Sequence, residues 1–471
     1  MPNLNPEELI QKISIFSRIG FLALSALVNF ILPDHDSDGF VSPILVTDYE
    51  SVLDKTVDFL FGGLCRWDGQ HFYHVARYGY TYETNLAFFP LFPSAVGAGA
   101  QVVTWATGLN FKSAFLIVVV AMNTALFTKS ALTLFRLTRV VFRDDRIAFN
   151  SALFFCFSPA TVFFIAPYSE TLFAFCTFNG MLAYSKNEIN YACAWFCISG
   201  CARSNGTING GFIAHYFFSK MLTSIKTHKG FSLKFVADYL KPLGYLVTCL
   251  AIVLAPFLIF QIDGFYRFCK SGLRYPIELV RHGERNNLLM PGDQPIWCGH
   301  KIPMPYSYVQ DAYWDVGFLR YYTLKQIPNF CLAFPIVVII LGSCVQFLYK
   351  HKNLFVQADE VYSQKRSSDT FPRHSFVYIV HAVFLTVFCV LNINVQVTTR
   401  MLASSSPVLY WIASTKFLVK DTGAPPDFDY IKENMFDWKG KFHRSSYNII
   451  SYFVSYAVVG TVLFSNNLPW T

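Results

Sequence analysis

Hydrophobic residues in this chain gather into runs of about 20, the length that carries an α-helix across a bilayer, and not into the sparse stripes of soluble helices. Such runs fall at 14–32, 86–107, 113–135, 147–166, 170–185, 189–218, 243–262, 327–349, 374–393, 402–418 and 447–465. They predict an all-α polytopic membrane protein, one multi-pass domain over 1–471, with about eight to eleven crossings. The first run lies among Glu7, Glu8, Lys12 and Arg18 with no convincing small-residue cleavage site, and reads as an uncleaved signal anchor. The final residues, Asn467-Leu468-Pro469-Trp470-Thr471, hold no KDEL-type retrieval signal.

Polar positions orient these runs. Lys220, Lys226, Lys229, Lys234 and Lys241 mark one basic loop, Lys350, Lys352, Lys365, Arg366 and Arg373 a second, and Lys420 to Arg444 a third. Positive charge stays on the cytoplasmic side, so the loops 33–85 and 263–325 fall on the lumenal face, where short helices are expected. Arg136, Arg139 and Arg143 also ask to be cytoplasmic, which requires an odd number of crossings between 86 and 135, where hydropathy offers two runs. The run 86–107, with Pro90, Pro93 and Gly97, is therefore expected to be interfacial or re-entrant.

Composition strengthens the membrane reading: 53% hydrophobic, 18% aromatic and 14% charged residues, with mean hydropathy +0.36, against about 25% charge in soluble domains. The net charge of +8 reflects basic loops and not nucleic-acid binding, since no basic stretch is long enough to track a phosphate backbone. Of the 12 cysteines, only Cys65, Cys269 and Cys298 fall in the lumenal loops, and Cys269 and Cys298 could pair in an oxidising compartment. No CxxC, HExxH or other zinc spacing occurs, so no metal and no cofactor are expected. No transporter-like internal repeat is evident.

Chemistry concentrates in the two lumenal loops. The first carries Arg66-Trp67-Asp68-Gly69-Gln70-His71-Phe72, then Gly79-Tyr80-Thr81-Tyr82-Glu83 and Ala87-Phe88-Phe89-Pro90. Asp68 could take a proton from an acceptor hydroxyl while Trp67 packs on a sugar face; equally, it could cap an interfacial helix beside an aromatic-belt tryptophan. The second carries Gln294-Pro295-Ile296-Trp297-Cys298 and a stretch from Pro303 to Phe318 containing Gln310, Asp311 and Trp314. Rings for sugar CH faces and amides or carboxylates for hydroxyls suit a glycan, though a plain folded cap would look alike.

Charges near spans are costly and informative: Arg203 in Ala202-Arg203-Ser204-Asn205-Gly206, Arg400 after Gln396-Val397-Thr398-Thr399, and Glu170. Either arginine could grip a lipid-linked phosphate or simply snorkel at a helix end. Asn205-Gly206-Thr207 is formally a glycosylation sequon, more plausibly fortuitous so close to apolar runs. Asp36-Ser37-Asp38 and Asp427-Phe428-Asp429 match DxD, but neither lies in the strand-rich context in which that motif holds a nucleotide sugar.

Taken in order, Arg66 to Phe72, Gly79-Tyr80 with Glu83, Ala87 to Pro90, Ala202 to Gly206, Tyr308-Val309-Gln310-Asp311 through Trp314, and Gly317 to Tyr322 resemble the PIG-V family of mannosyltransferases. The similarity continues through Gln396-Val397 and Arg400 to Tyr410, most of the chain. The resemblance implies a GT-C-like helical bundle in the endoplasmic-reticulum membrane with its active site facing the lumen. It implies transfer of a second mannose, in α-1,6 linkage, from dolichyl-phosphate mannose to a mannosylated GPI precursor, by inversion and without a metal.

On that basis Asp68 is the expected base and Glu83 the alternative. Trp67, Gln70, His71, Arg203, Asn205, Gln310, Asp311, Trp314 and Arg400 are expected substrate-binding residues. The loop 33–85 would be catalytic and 263–325 substrate-binding, with room for a small partner subunit in the membrane. Rival readings are a dolichyl-phosphate-mannose enzyme with another acceptor, a lipid transporter or scramblase, and a non-catalytic subunit; few intramembrane charges are present to line a transport path.

Overall fold

A computed structural model describes residues 5–43, 50–227, 233–270, 272, 274–355, 370–417 and 444–470, in which helices are joined by turns and loops and no strand occurs. The chain opens with α1 (Pro6–Ile31), two short helices, α2 (Val52–Phe61) and α3 (Asp68–Tyr78), then α4 (Leu91–Thr107) and the long α5 (Phe111–Phe142). Shorter helices follow: α6 (Asp145–Cys156), α7 (Glu170–Ser185), α8 (Ile189–Ala202) and α9 (Gly210–Thr227). Next, α10 (Leu233–Phe265) leads into a cap bearing α11 (Ile277–Arg285) and α12 (Pro305–Trp314). The remainder is α13 (Ile327–Lys350), α14 (Phe376–Asn392), the half-length α15 (Thr398–Ser405) and α16 (Val408–Phe417), and α17 (Arg444–Ser465).

Six helices among the described residues are long and apolar enough to cross a membrane: α1, α5, α10, α13, α14 and α17, with their flanking turns. Side chains such as Phe16, Phe30, Ile259, Phe334 and Val459 stay exposed on them, as expected of faces solvated by lipid. Local signals mark the helix starts. Asn5 accepts from Glu7 N, Ser51 and Asp54 form a capping box, Asn110 accepts from Ser113 N, and Asp144 accepts from Arg146 N and Ile147 N.

Two contacts set the direction of the first crossings. Arg136 pairs with Glu7 at 2.6 Å, placing the end of α5 beside the start of α1. Lys112 pairs with Asp58 at 2.8 Å, placing α2 beside the start of α5. Both ends of 32–110 therefore lie at one end of the bundle, and α4 makes no net crossing. Its Phe92, Val96 and Ala100 pack on Phe115, Leu116 and Val119, the first part of α5 only. An interfacial or re-entrant 86–107 accounts for this and leaves Arg136, Arg139 and Arg143 at the opposite end. Lys350 and Lys416 gather at that same end, around a smaller cleft with Phe371. Lys229, Lys365, Arg366, residues 420–443 and the second DxD, Asp427 to Asp429, lie outside the described residues.

The structure departs from the sequence reading inside the apolar runs 147–166, 189–218 and 402–418, expected to be continuous. The first stops at Cys156 before Ser158-Pro159, the second breaks after Ala202 into a tight turn, Ser204–Asn209, and the third breaks at Ser406-Pro407. Irregular backbone at membrane depth must have its polar groups satisfied by protein, and here it does. Arg18 donates to the Cys156 and Thr161 carbonyls at 2.8 and 3.3 Å, Asn123 to the Ala166 carbonyl at 2.7 Å, and Tyr410 to the Ala403 carbonyl at 2.8 Å. Gly206 suits its break because a Cβ there would lie 2.6 Å from Gly200 N.

Candidate functional site

The irregular segments after α6 and α8 meet α15 beneath the cap, around a cavity of about 780 Å³. Its polar wall includes Asp68, Ser169, Arg203, Asn205, Gln310 and Arg400. Its apolar wall includes Phe257 of α10, Leu332 of α13 and Phe384 and Phe388 of α14. Phe384 and Phe388 are 52% and 37% exposed, so this wall extends to the outer, lipid-facing surface of the bundle.

Asp68 is the first residue of α3, reached through Trp67 in a positive-φ conformation (φ 51°). Gly69 gives the turn its clearance, since a Cβ would lie 3.0 Å from Pro167 Cγ. Asp68 Oδ2 accepts from Arg400 Nη1 at 2.8 Å, and its side chain remains 24% exposed. Arg400 lies over the Phe163 and Tyr168 rings, 5.3 and 5.5 Å from their centroids. Arg203, held by the break after α8, pairs with Glu170 Oε1 at 2.5 Å, and Arg400 Nε lies 3.8 Å from the same oxygen. Two carboxylates and two guanidiniums thus form one cluster in or behind the cavity wall.

The expected site residues divide by helical phase. On α3, Asp68 and Phe72, four residues apart, face the cavity. Gln70 and His71 do not line it: Gln70 binds Ser42 N and the Cys65 carbonyl, and His71 stacks between Phe40 and Phe88 at 4.2 and 4.6 Å. Burial pushes the His71 imidazole down to about 4, against a smaller upward pull from Asp68. On α12, Tyr306, Gln310 and Trp314 form the facing stripe, while Asp311 turns outward to pair with Arg320.

Trp67, Arg203 and Arg400 line the cavity, as does Asn205, whose side chain donates to Ser405 Oγ at 3.0 Å. Glu83 sits outside the cavity wall, fully buried, its two oxygens taken by the Trp297 indole at 2.5 Å and the Tyr313 hydroxyl at 2.6 Å. Cys298, next to Trp297, is disulfide-bonded to Cys269 with Cα atoms 5.6 Å apart. Asp36 and Asp38 are exposed and away from the cavity. Unanticipated wall residues are Tyr306, Asn329, Asn394 and Trp470. Glu170 was noticeable only as an acid in an apolar context.

The family model described as Mannosyltransferase (PIG-V) matches residues 7–471. The chain is 35% identical to GPI alpha-1,6-mannosyltransferase 2 of Cricetulus griseus over 510 aligned residues, covering 100% of both chains. It is also 35% identical to GPI mannosyltransferase 2 of Drosophila melanogaster, covering 98% of this chain and 100% of the relative. Among solved structures, an Archaeoglobus fulgidus oligosaccharyltransferase tethered to an acceptor peptide is 14% identical with a TM-score of 0.42. That comparison covers 96% of this chain and 55% of the other.

Proposed function

The chain belongs to the PIG-V mannosyltransferase family, and from that premise we propose that it transfers the second mannose of the GPI anchor in α-1,6 linkage. The donor is dolichyl-phosphate mannose and the acceptor a GPI precursor bearing one mannose. The relatives named as GPI mannosyltransferase 2 support the acceptor and linkage. The carrying observation is the cluster of Asp68, Arg400, Glu170 and Arg203 at a cavity with one lipid-facing apolar wall. A polar pocket reached from the membrane suits two substrates that are both lipids.

The chemistry follows from charge. Asp68 Oδ1, the oxygen not engaged by Arg400, accepts the proton of the acceptor's 6-hydroxyl as that oxygen bonds to the anomeric carbon of the donor. The bond from that carbon to the phosphate oxygen breaks, and dolichyl phosphate leaves with the electron pair. Arg400 and Arg203 stabilise the growing charge on the phosphate. One displacement inverts a β-linked donor to an α product, so one base suffices. The leaving group is a single phosphate beside two arginines, so the step calls for no metal.

The enzyme lies in the endoplasmic-reticulum membrane, with the cavity facing the lumen. The Cys269–Cys298 disulfide at the cavity end and Arg136, Arg139, Arg143 and Lys350 at the other support this orientation. Purified protein given labelled donor and the one-mannose precursor should yield a product cleaved by an α-1,6-mannosidase. Failure to form that product, with membrane extract added to supply any partner subunit, would overturn the assignment.

A further inference from the structure

We propose that Glu170 is a positioning residue that holds Arg203 and Arg400 together as a two-armed clamp for the donor's phosphate. This rests on the transferase reading above and adds a residue to it. Glu170 begins α7, is 0% exposed and does not line the cavity, so it cannot meet the acceptor or serve as the base. Its Oε1 lies between two cations from separate elements, 2.5 Å from Arg203 Nη1 and 3.8 Å from Arg400 Nε. Neither Oε1 nor Oε2 has a hydrogen-bond donor in good geometry among the described residues, so both arginine contacts are ionic. A buried carboxylate is costly unless neighbouring charge compensates it, and both compensating groups here reach the cavity wall. Without it, two like charges from the α8 break and α15 would repel each other.

The charge count explains why a second carboxylate is useful. Asp68 and Glu170 balance Arg203 and Arg400, so the empty cluster is neutral. During transfer Asp68 gains the acceptor proton and releases Arg400, while the phosphate changes from diester to monoester and gains charge. Arg400 thus passes from the base to the leaving group. Glu170, remote from the transferred proton, keeps its charge and continues to fix both arginines.

The test compares wild type, Glu170→Gln, Glu170→Asp and Asp68→Asn in the full-length purified chain. Glu170→Gln should raise the donor KM and the inhibition constant of dolichyl phosphate about tenfold or more, the loss of one charge-assisted contact, while the acceptor KM stays within about twofold. Glu170→Asp, which keeps the charge, should restore both phosphate constants to within about threefold. Unchanged phosphate constants in Glu170→Gln, a fall in kcat alone, or an equal rise in the acceptor KM would each overturn the clamp. Should that variant fail to accumulate, Arg203→Gln decides: the dolichyl phosphate constant should rise about tenfold with acceptor KM retained, and an unchanged constant overturns the proposal. Wild type that makes no product would instead refute the transferase reading itself.

Discussion

Two acids in the same loop, Asp68 and Glu83, each open a short helix, yet their surroundings give them opposite work. Asp68 keeps one oxygen on an arginine, stays 24% exposed and faces the cavity. Glu83 is sealed, with both oxygens engaged by the Trp297 indole and the Tyr313 hydroxyl of the cap. Availability, set by what occupies each oxygen, separates the carboxylate we propose for proton transfer from one that fastens two loops together.

The comparison breaks most sharply at Asp68. Asp68→Asn should lower mannose transfer about 10³-fold, the order a positioned base contributes, with the protein still folded. Arg400→Ala, by contrast, should weaken use of the donor about tenfold or more while acceptor binding persists, read from separate substrate titrations; unchanged donor dependence would remove it from phosphate binding.

On the Glu83 side the effects should appear in stability. Glu83→Ala leaves the buried Trp297 indole N–H without its acceptor, about 1–3 kcal/mol, while the Tyr313 hydroxyl, on a residue 40% exposed, can turn to water. The cap should loosen, seen as lower thermal stability in detergent, with activity per folded molecule largely kept. Wild-type stability in that variant would show that the clasp does not matter. Cys269→Ser with Cys298→Ser should destabilise the same cap by about 2–4 kcal/mol, detected as faster proteolysis between α10 and α13.

A further effect concerns pH. Burial holds the His71 and His74 imidazoles down at about 4 and about 3, below the ordinary 6.5, so the unfolded chain binds more protons in that range. Stability should therefore fall as pH drops from about 6.5 toward 3. His71→Phe should make that slope shallower between about 6.5 and 4, with His74 supplying the rest; an unaltered slope would assign it to other groups.

Much of this was legible in the sequence because long apolar runs and expensive charges are local signals. Asp68, Arg203 and Arg400 stood out for that reason, and the arginine conflict pointed to an interfacial or re-entrant α4. The breaks after Cys156 and Ala202 were hidden because hydropathy averages over polar residues that face protein instead of lipid. Gln70, His71 and Asp311 looked equivalent to their neighbours because adjacent residues on a helix differ by about 100° in direction. The partnership of Glu170 with Arg203 and Arg400 spans elements far apart in the chain. Nothing at position 170 alone reveals that.

The most direct test of the central claim is mannose transfer from dolichyl-phosphate mannose to the one-mannose GPI precursor by purified wild type and Asp68→Asn, each with chelator present. Wild type should form product while the folded variant forms almost none. Product from both at comparable rates would contradict the assignment of Asp68 as the base.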